Sequence, residues 1–380
     1  MTNLQEWNVE SPGRYERQTS IWNQNLLEKA KVLVLGAGAI GNEVVKDLAL
    51  AGIGRMTIVD TDVVELVNLN RCALFREADL GLPKAEAAAL RAHEINPDTT
   101  CVSLQKDIIL QIGAGFYKGF DVVVSCLDNR EARLFANKYA YGHRIPLVDG
   151  AIEGLNGRVR VIVPPRSSCY ECDFTEAEYD AIRDKYSCSG VQKNPNEATG
   201  ATVITSAAVI GAMQSLETVE LLHSRYLSAG KEWIYLAREK KIELYQVPRN
   251  EGCPAHVDFT TSTKIDESNE ITATELNEIV KSKLHGNGEI HILNDKLICY
   301  AVSCQGCGSR KEIGTPLGSL QRKDVWCSNC SSEMITDISY EVRQGNYSLQ
   351  SLGIPPQHIL RVEERNTGFF LELGGHCDRS

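Results

Sequence analysis

Residues 31–60 read KVLVLGAGAIGNEVVKDLALAGIGRMTIVD. An apolar run from Lys31 leads into Gly36, Gly38 and Gly41 at G-x-G-x-x-G spacing; a helical pattern and a second apolar run ending at Asp60 follow. This order predicts strand, glycine turn, helix and strand. Glycine permits the tight turn and lets the backbone approach a phosphate, and the helix N-terminus attracts it. Asp60, about twenty residues on, is placed to accept ribose hydroxyls. NAD and ATP satisfy this much equally well.

The surrounding chain extends the pattern. TTCVSLQ, DVVVSCLD, IPLVDG and GRVRVIVPP supply further strands, with LPKAEAAALRAHEIN and NREARLFANKYAYG as helices between them. Such alternation predicts an α/β fold, a Rossmann-like, mostly parallel sheet with helices on both faces. A polar stretch, 169–200, precedes a long apolar helix over about 201–227 and the strands WIYLA and KIELYQV. Beyond the polar linker DFTTSTKIDESNE, TATELNEIVKSKL opens with Thr272 and Glu275 at capping-box spacing. EIHIL, KLICYAV, DISYEV, HILRV and GFFLEL surround that helix as strands, predicting a small α+β C-terminal domain.

The chain has 380 residues, 43% hydrophobic and 24% charged, with a net charge of −10. That balance argues against coating nucleic acid or an anionic membrane. The N-terminus lacks the apolar core of a signal peptide, and ATVITSAAVIGAMQSL is too short and polar to span a bilayer. A cytoplasmic protein is expected.

The residues after Asp60 separate the two nucleotides. DTDVVELVNLNR adds Asp62, Asn68 and Arg71; Lys84 begins the next helix; Asp128 and Asn129 end the strand DVVVSCLDN. Each alone is an ordinary loop charge. Together they meet at the carboxyl edge of one sheet, where open α/β sheets bind ligands. Hydride transfer by an NAD-linked oxidoreductase, the competing reading, has no evident use for them. Adenylyl transfer needs a carboxylate for Mg²⁺ and cations for the α-phosphate and the departing pyrophosphate.

In order from Arg14 to Asn129, the entry arginine, glycine loop, DxDxVxxxNLxR, G-x-P-K and C-x-D-N pattern resembles the ThiF/MoeB/ubiquitin-activating superfamily. Its members use ATP to adenylate the C-terminal glycine of a ubiquitin-like, β-grasp protein. The resemblance implies that Asp60 holds ribose, that Asn68, Arg71 and Lys84 face the phosphates, and that Asp128 binds magnesium. Arg133 matches a further phosphate-side arginine. RYERQ resembles the element whose second arginine, here Arg17, reaches a partner's active site in homodimeric members. Asn70 departs from the Gln many members carry there.

Six of the thirteen cysteines fall in C-x-x-C steps, which in a reducing compartment indicate metal. Cys304, Cys307, Cys327 and Cys330 have zinc-ribbon spacing. Cys169 and Cys172 open a second site; where the family closes it with another C-x-x-C, this chain has Cys253 and His256. Two structural Zn²⁺ ions are expected. Cys101, Cys126 and Cys299 read as core residues and Cys72 as packing. Cys188, in DKYSCSGVQKNPNE, lies where the family places its acyl-accepting cysteine.

These readings divide the chain into an adenylation domain, 1–260, with a cysteine crossover segment at about 173–200, and a C-terminal domain, 261–380. The latter loosely resembles the β-grasp domain that recruits a conjugating enzyme, with a zinc ribbon inserted at about 300–335. The expected activity is activation of a ubiquitin-like protein through a thioester; sulfur-carrier adenylation feeding sulfur transfer is the alternative.

Overall fold

The computed structural model describes residues 13–183, 202–284, 289–364 and 367–375. After α1 (Gln24–Lys29), the nucleotide-binding part alternates β1 (Lys31–Leu35), α2 (Ala39–Ala51), β2 (Arg55–Val59), α3 (Lys84–Ile95), β3 (Thr100–Leu104), β4 (Val122–Ser125), α4 (Arg130–Gly142) and β5 (Leu147–Glu153). It continues with β6 (Asn156–Ile162), α5 (Glu176–Arg183), α6 (Ile204–Leu222), β7 (Lys231–Leu236) and β8 (Lys241–Gln246). The eight strands run β3-β2-β1-β4-β5-β6-β7-β8. The first five are parallel and the last three antiparallel.

Side-chain alternation along β1 explains why the sheet is covered twice. Val32 and Val34 pack with Val44, Leu48 and Ile210 of α2 and α6. Leu33 and Leu35 point the other way, toward Ala136 and Tyr139 of α4 and toward Tyr117. A strand buried on both faces has no polar side, hence the unbroken apolar run in the sequence.

The second sheet joins β9 (Thr263–Lys264), β10 (Ile290–Ser303), β11 (Arg310–Pro316), β12 (Ile335–Glu341), β13 (Ile359–Glu364) and β14 (Thr367–Glu372). Its order is β11-β10-β13-β14-β9, with β12 also pairing β10. α7 (Ala273–Leu284) packs Leu276 and Val280 against Ile290, Leu360 and Leu371. Its capping box forms as expected: Glu275 Oε2 accepts from Thr272 N at 2.7 Å, and Thr272 Oγ1 accepts from Glu275 N at 3.2 Å. The sequence runs EIHIL and KLICYAV are not two strands but the halves of β10. Ile290–Leu293 pairs with β13, Ile298–Ser303 pairs with β11 and β12, and the register breaks between them. β11, absent from the sequence reading, is mostly polar and exposed, which hides its period.

The two sheets touch through α4 and the turn at 114–117. Gly115 N donates to Gln357 O at 2.8 Å, Lys118 pairs with Glu372, and Phe259 packs edge-on against Phe370. Among the described residues, no helix is long and apolar enough to cross a membrane.

Candidate functional site: a nucleotide loop and two metal-ligand tetrads

The strand order reverses between β1 and β4, and the glycine loop sits at the carboxyl end of both. Gly36 has φ +94°, and a Cβ there would lie 2.7 Å from the carbonyl oxygen of Cys126, after β4. A Cβ on Gly41 would collide with the Gly36 carbonyl. Gly38 differs. A Cβ there meets nothing within 4 Å. It is the N-cap of α2, supplies no side-chain cap, and the first turn of α2 carries no acidic residue. The positive end of a 13-residue helix is therefore left open to an anion.

Both oxygens of Asp60 bind backbone: Oδ2 accepts from Ala37 N at 2.7 Å and Oδ1 from Asp62 N at 2.8 Å. Burial holds this carboxyl above its ordinary pKa, against the pull of those N–H groups and of Lys84. Lys84 Nζ lies 2.8 Å from Asp62 Oδ2, and Lys84 N donates to Asp62 O, so the two residues clasp twice. Asn68 is buried and closes its own turn, its Oδ1 accepting from Glu65 N at 2.9 Å. Arg71 folds back onto Val67 O and Asn70 Oδ1.

Asp128 stands exposed after β4, its Oδ1 accepting from Asn129 Nδ2 at 3.4 Å. Asn129 is also the N-cap of α4, its Oδ1 accepting from Ala132 N at 2.8 Å. Arg133 is buried. Its guanidinium pairs with Asp149 Oδ2 at 3.0 Å and donates to the carbonyls of Leu127 and Gly150. It braces the loop that presents Asp128.

Arg17 is exposed and makes no side-chain hydrogen bond among the described residues. Its neighbour Gln18 donates to Ala51 O at 2.9 Å, at the far end of α2 from Gly38. Thirteen helical residues separate those ends by about 20 Å. Arg17 thus stands apart from the glycine loop of its own chain. Cys188 lies outside the described residues.

Cys169, Cys172, Cys253 and His256 converge with their ligand atoms within 4.8 Å of one another. Cys169 Sγ is 3.6 Å from Cys253 Sγ and 3.7 Å from Cys172 Sγ; His256 Nε2 is 3.3 Å from Cys172 Sγ. Zn–S bonds of about 2.3 Å at tetrahedral angles put sulfurs about 3.8 Å apart, so the set fits Zn²⁺. Burial and Arg249 hold His256 below its ordinary pKa, in the neutral form a ligand needs, and its ring stacks on Tyr141 at 4.4 Å.

Cys304, Cys307, Cys327 and Cys330 form the other tetrad. Its two halves repeat one backbone pattern. Cys304 N donates to Ser309 O and Gly308 N to Cys304 O; Cys327 N donates to Ser332 O and Ser331 N to Cys327 O. Gly308 and Ser331 both take positive φ, closing each knuckle. The Ser309 hydroxyl and the N–H groups of Asn329 and Cys330 push Cys327 down to about 6, toward the thiolate that binds metal.

Residues 14–255 match the ThiF family. The chain is a member of that family. The catalytic subunit of the NEDD8-activating enzyme E1 from Schizosaccharomyces pombe is 40% identical over 150 residues, 38% of this chain and 34% of that protein. The SAMP-activating enzyme E1 of Haloferax volcanii is 31% identical over 61% of this chain and 82% of its own length. The Escherichia coli ThiS adenylyltransferase is 28% identical over 63% of this chain and 93% of its length. The chain therefore spans about a third of the yeast relative but most of the two prokaryotic ones. Crystal structures of E. coli MccB share the fold, with a TM-score of 0.56 at 24% identity over 66% of this chain and 75% of MccB.

Three residues that support this ThiF-family site were not singled out by sequence reasoning. Asn42, buried in α2, donates to Ala37 O and accepts from Leu74 N, tying the glycine loop to the segment after Arg71. Gln214 of α6 donates to Ser125 O and Val148 O, bridging β4 and β5. Asp149 accepts from Ser125 Oγ at 2.6 Å while pairing Arg133. Asn42 left one signal, a polar residue directly after the last loop glycine.

Proposed function

We propose that this chain uses ATP to adenylate the C-terminal carboxylate of a ubiquitin-like protein and then carries the acyl group as a thioester on Cys188. One observation carries the reading: the open helix end at Gly38 and the exposed Asp128 carboxylate lie on the two strands that flank the switch point. The α2 N-terminus and Lys84 attract the phosphates, Arg71 turns from the Val67 carbonyl toward them, and Asp60 receives ribose. Asp128 is the carboxylate for Mg²⁺, which neutralises phosphate charge. The carrier carboxylate attacks the α-phosphorus and pyrophosphate leaves. The Cys188 thiolate then attacks the acyl carbon and AMP leaves.

The position of Arg17, a helix length from its own glycine loop, supports a homodimer in which it serves the partner's site. The tetrads are read as two structural Zn²⁺ sites, with residues 1–260 as the adenylation domain and 261–380 as the recruiting domain for a conjugating enzyme. A second reading, sulfur-carrier adenylation, is favoured by the match to nearly the whole ThiS adenylyltransferase.

Mg²⁺-dependent ATP–pyrophosphate exchange with a cognate ubiquitin-like protein tests the adenylation. Cys188→Ala should keep exchange and lose a thiol-sensitive adduct on a non-reducing gel. An adduct that persists moves the nucleophile elsewhere; a wild-type protein that forms no adduct but yields a carrier thiocarboxylate with a sulfur donor selects the second reading. Saturable NAD binding with no exchange would overturn both.

A further inference from the structure

The zinc-ribbon segment presents a cleft of about 380 Å³ that the adenylation chemistry does not use. Lys311, at the start of β11, forms one side; Lys323, Asp324 and Trp326 form the other. Trp326 is 42% exposed, with the Arg322 guanidinium 5.3 Å above its ring. Trp326 stands outside the adjoining core of Val302, Leu317, Val325 and Met334, and the exposed part of its indole offers an apolar surface at the cleft.

The charges say what covers it. Lys311 and Lys323 are exposed and enter no ion pair among the described residues, and Arg322 is held by the indole ring alone. Arg310, beside them, is neutralised by Glu312 and Asp337. Asp324 already accepts from Gln321 N at 3.0 Å. A Cys₄ zinc centre is itself anionic; Cys327 lines the cleft and Cys307 and Cys330 are exposed, while Lys311, Arg322 and Lys323 face solvent. The rim thus sets three cations, Lys311, Lys323 and Arg322, against the one Asp324 carboxylate, on a chain of net charge −10.

We infer that this cleft docks an acidic, extended protein segment, with an apolar side chain against Trp326 and carboxylates on Lys311, Lys323 and Arg322. Exposed indole and arginine are the side chains that most often dominate binding energy at such surfaces. The inference stands apart from the adenylation reading, because none of these residues lies near the glycine loop.

The full-length, zinc-loaded protein is titrated with a fluorescein-labelled glutamate-rich peptide carrying a central leucine, with an oligothymidine of equal length in parallel. The peptide should bind, and more weakly as salt rises. Trp326→Ala and the Lys311→Glu, Lys323→Glu double variant should each weaken binding about tenfold or more, while zinc content and pyrophosphate exchange stay at wild-type levels. No peptide binding by the wild type, equal binding by both variants, or tighter binding of the oligothymidine overturns the assignment.

Discussion

Tyr139 Oη, on α4 of the nucleotide-binding layer, donates a hydrogen bond to Asp295 Oδ2, on β10 of the C-terminal sheet, at 2.8 Å. Lys138 Nζ lies 3.4 Å from the same oxygen, and His358 Nε2 lies 3.2 Å from Asp295 Oδ1 and 3.0 Å from Asn294 Oδ1. Lys296 and His358 are buried, and the Asp295 side chain is 8% exposed, at the break in β10 register. The helix that carries Asn129 and Arg133 at one end is therefore bolted to the second sheet through its middle.

Removing the charge at this junction should loosen it. Burial alone would push Asp295 up, but Lys138, His358 and Lys296 hold it well below the usual carboxylate range. Asp295→Asn leaves Lys296 buried opposite a neutral amide and should destabilise by about 3 kcal/mol. Tyr139→Phe removes one hydrogen bond and should cost about 1–2 kcal/mol. Chemical unfolding of both variants measures this; equal midpoints for wild type and Asp295→Asn would refute it.

Acid should open the same junction. Burial holds His358 below 6.5, and its buried Nδ1 has no hydrogen-bond partner, so a second ring proton would have nowhere to donate. The folded state binds that proton more weakly than the unfolded chain, so this contribution is complete above about pH 6.5 and falls as pH drops below it. Asp295, also depressed, adds loss in the same direction at lower pH. Hydrogen exchange of α4 and β10 should quicken as pH falls from neutral, after correction for intrinsic rates, and His358→Gln, which removes the titrating ring, should flatten the trend.

Two of the loop glycines should separate by experiment. Gly41→Ala drives a methyl into the Gly36 carbonyl and should impair folding. Gly38→Ala adds a methyl to open space, so stability should hold while ATP affinity falls several-fold, the methyl occupying room a phosphate needs. Unfolding midpoints and ATP titration distinguish them. A Gly38→Ala protein with undiminished ATP affinity would falsify the phosphate site.

Asp128 and Arg133 should fail in different ways. Asp128→Ala removes an exposed carboxylate and should abolish pyrophosphate exchange with its unfolding midpoint near wild type. Arg133→Ala strands the buried Asp149 and should destabilise by about 3 kcal/mol as well as slow exchange. Exchange surviving in Asp128→Ala would remove the magnesium assignment.

Metal analysis should return two zinc ions per chain. Cys253→Ser should lose one of them, and Cys327→Ser the other while keeping exchange, since that tetrad joins only C-terminal elements. A single zinc in the wild type would sink one of the two sites.

Local pattern determined much of this protein. The glycine spacing, the doubly buried strands and the tetrad of Cys304, Cys307, Cys327 and Cys330 were legible because each depends on residues close together in sequence. The pairing of Cys253 and His256 with Cys169 and Cys172 was expected from family resemblance, and the tertiary structure brings their ligand atoms within 4.8 Å of one another. Only the tertiary structure decided which site residues are free and which are committed. Arg133 reads as one more cation in DNREAR, yet folding buries it beside Asp149 from the next strand. Arg17 was expected, by family resemblance, to reach a partner's site, and packing puts it at the far end of α2 from its own glycine loop. The single strand β10 and its Asp295 were equally unreadable, because a charge in the middle of a strand becomes tolerable only when partners from another layer, here Tyr139 and Lys138, arrive to meet it.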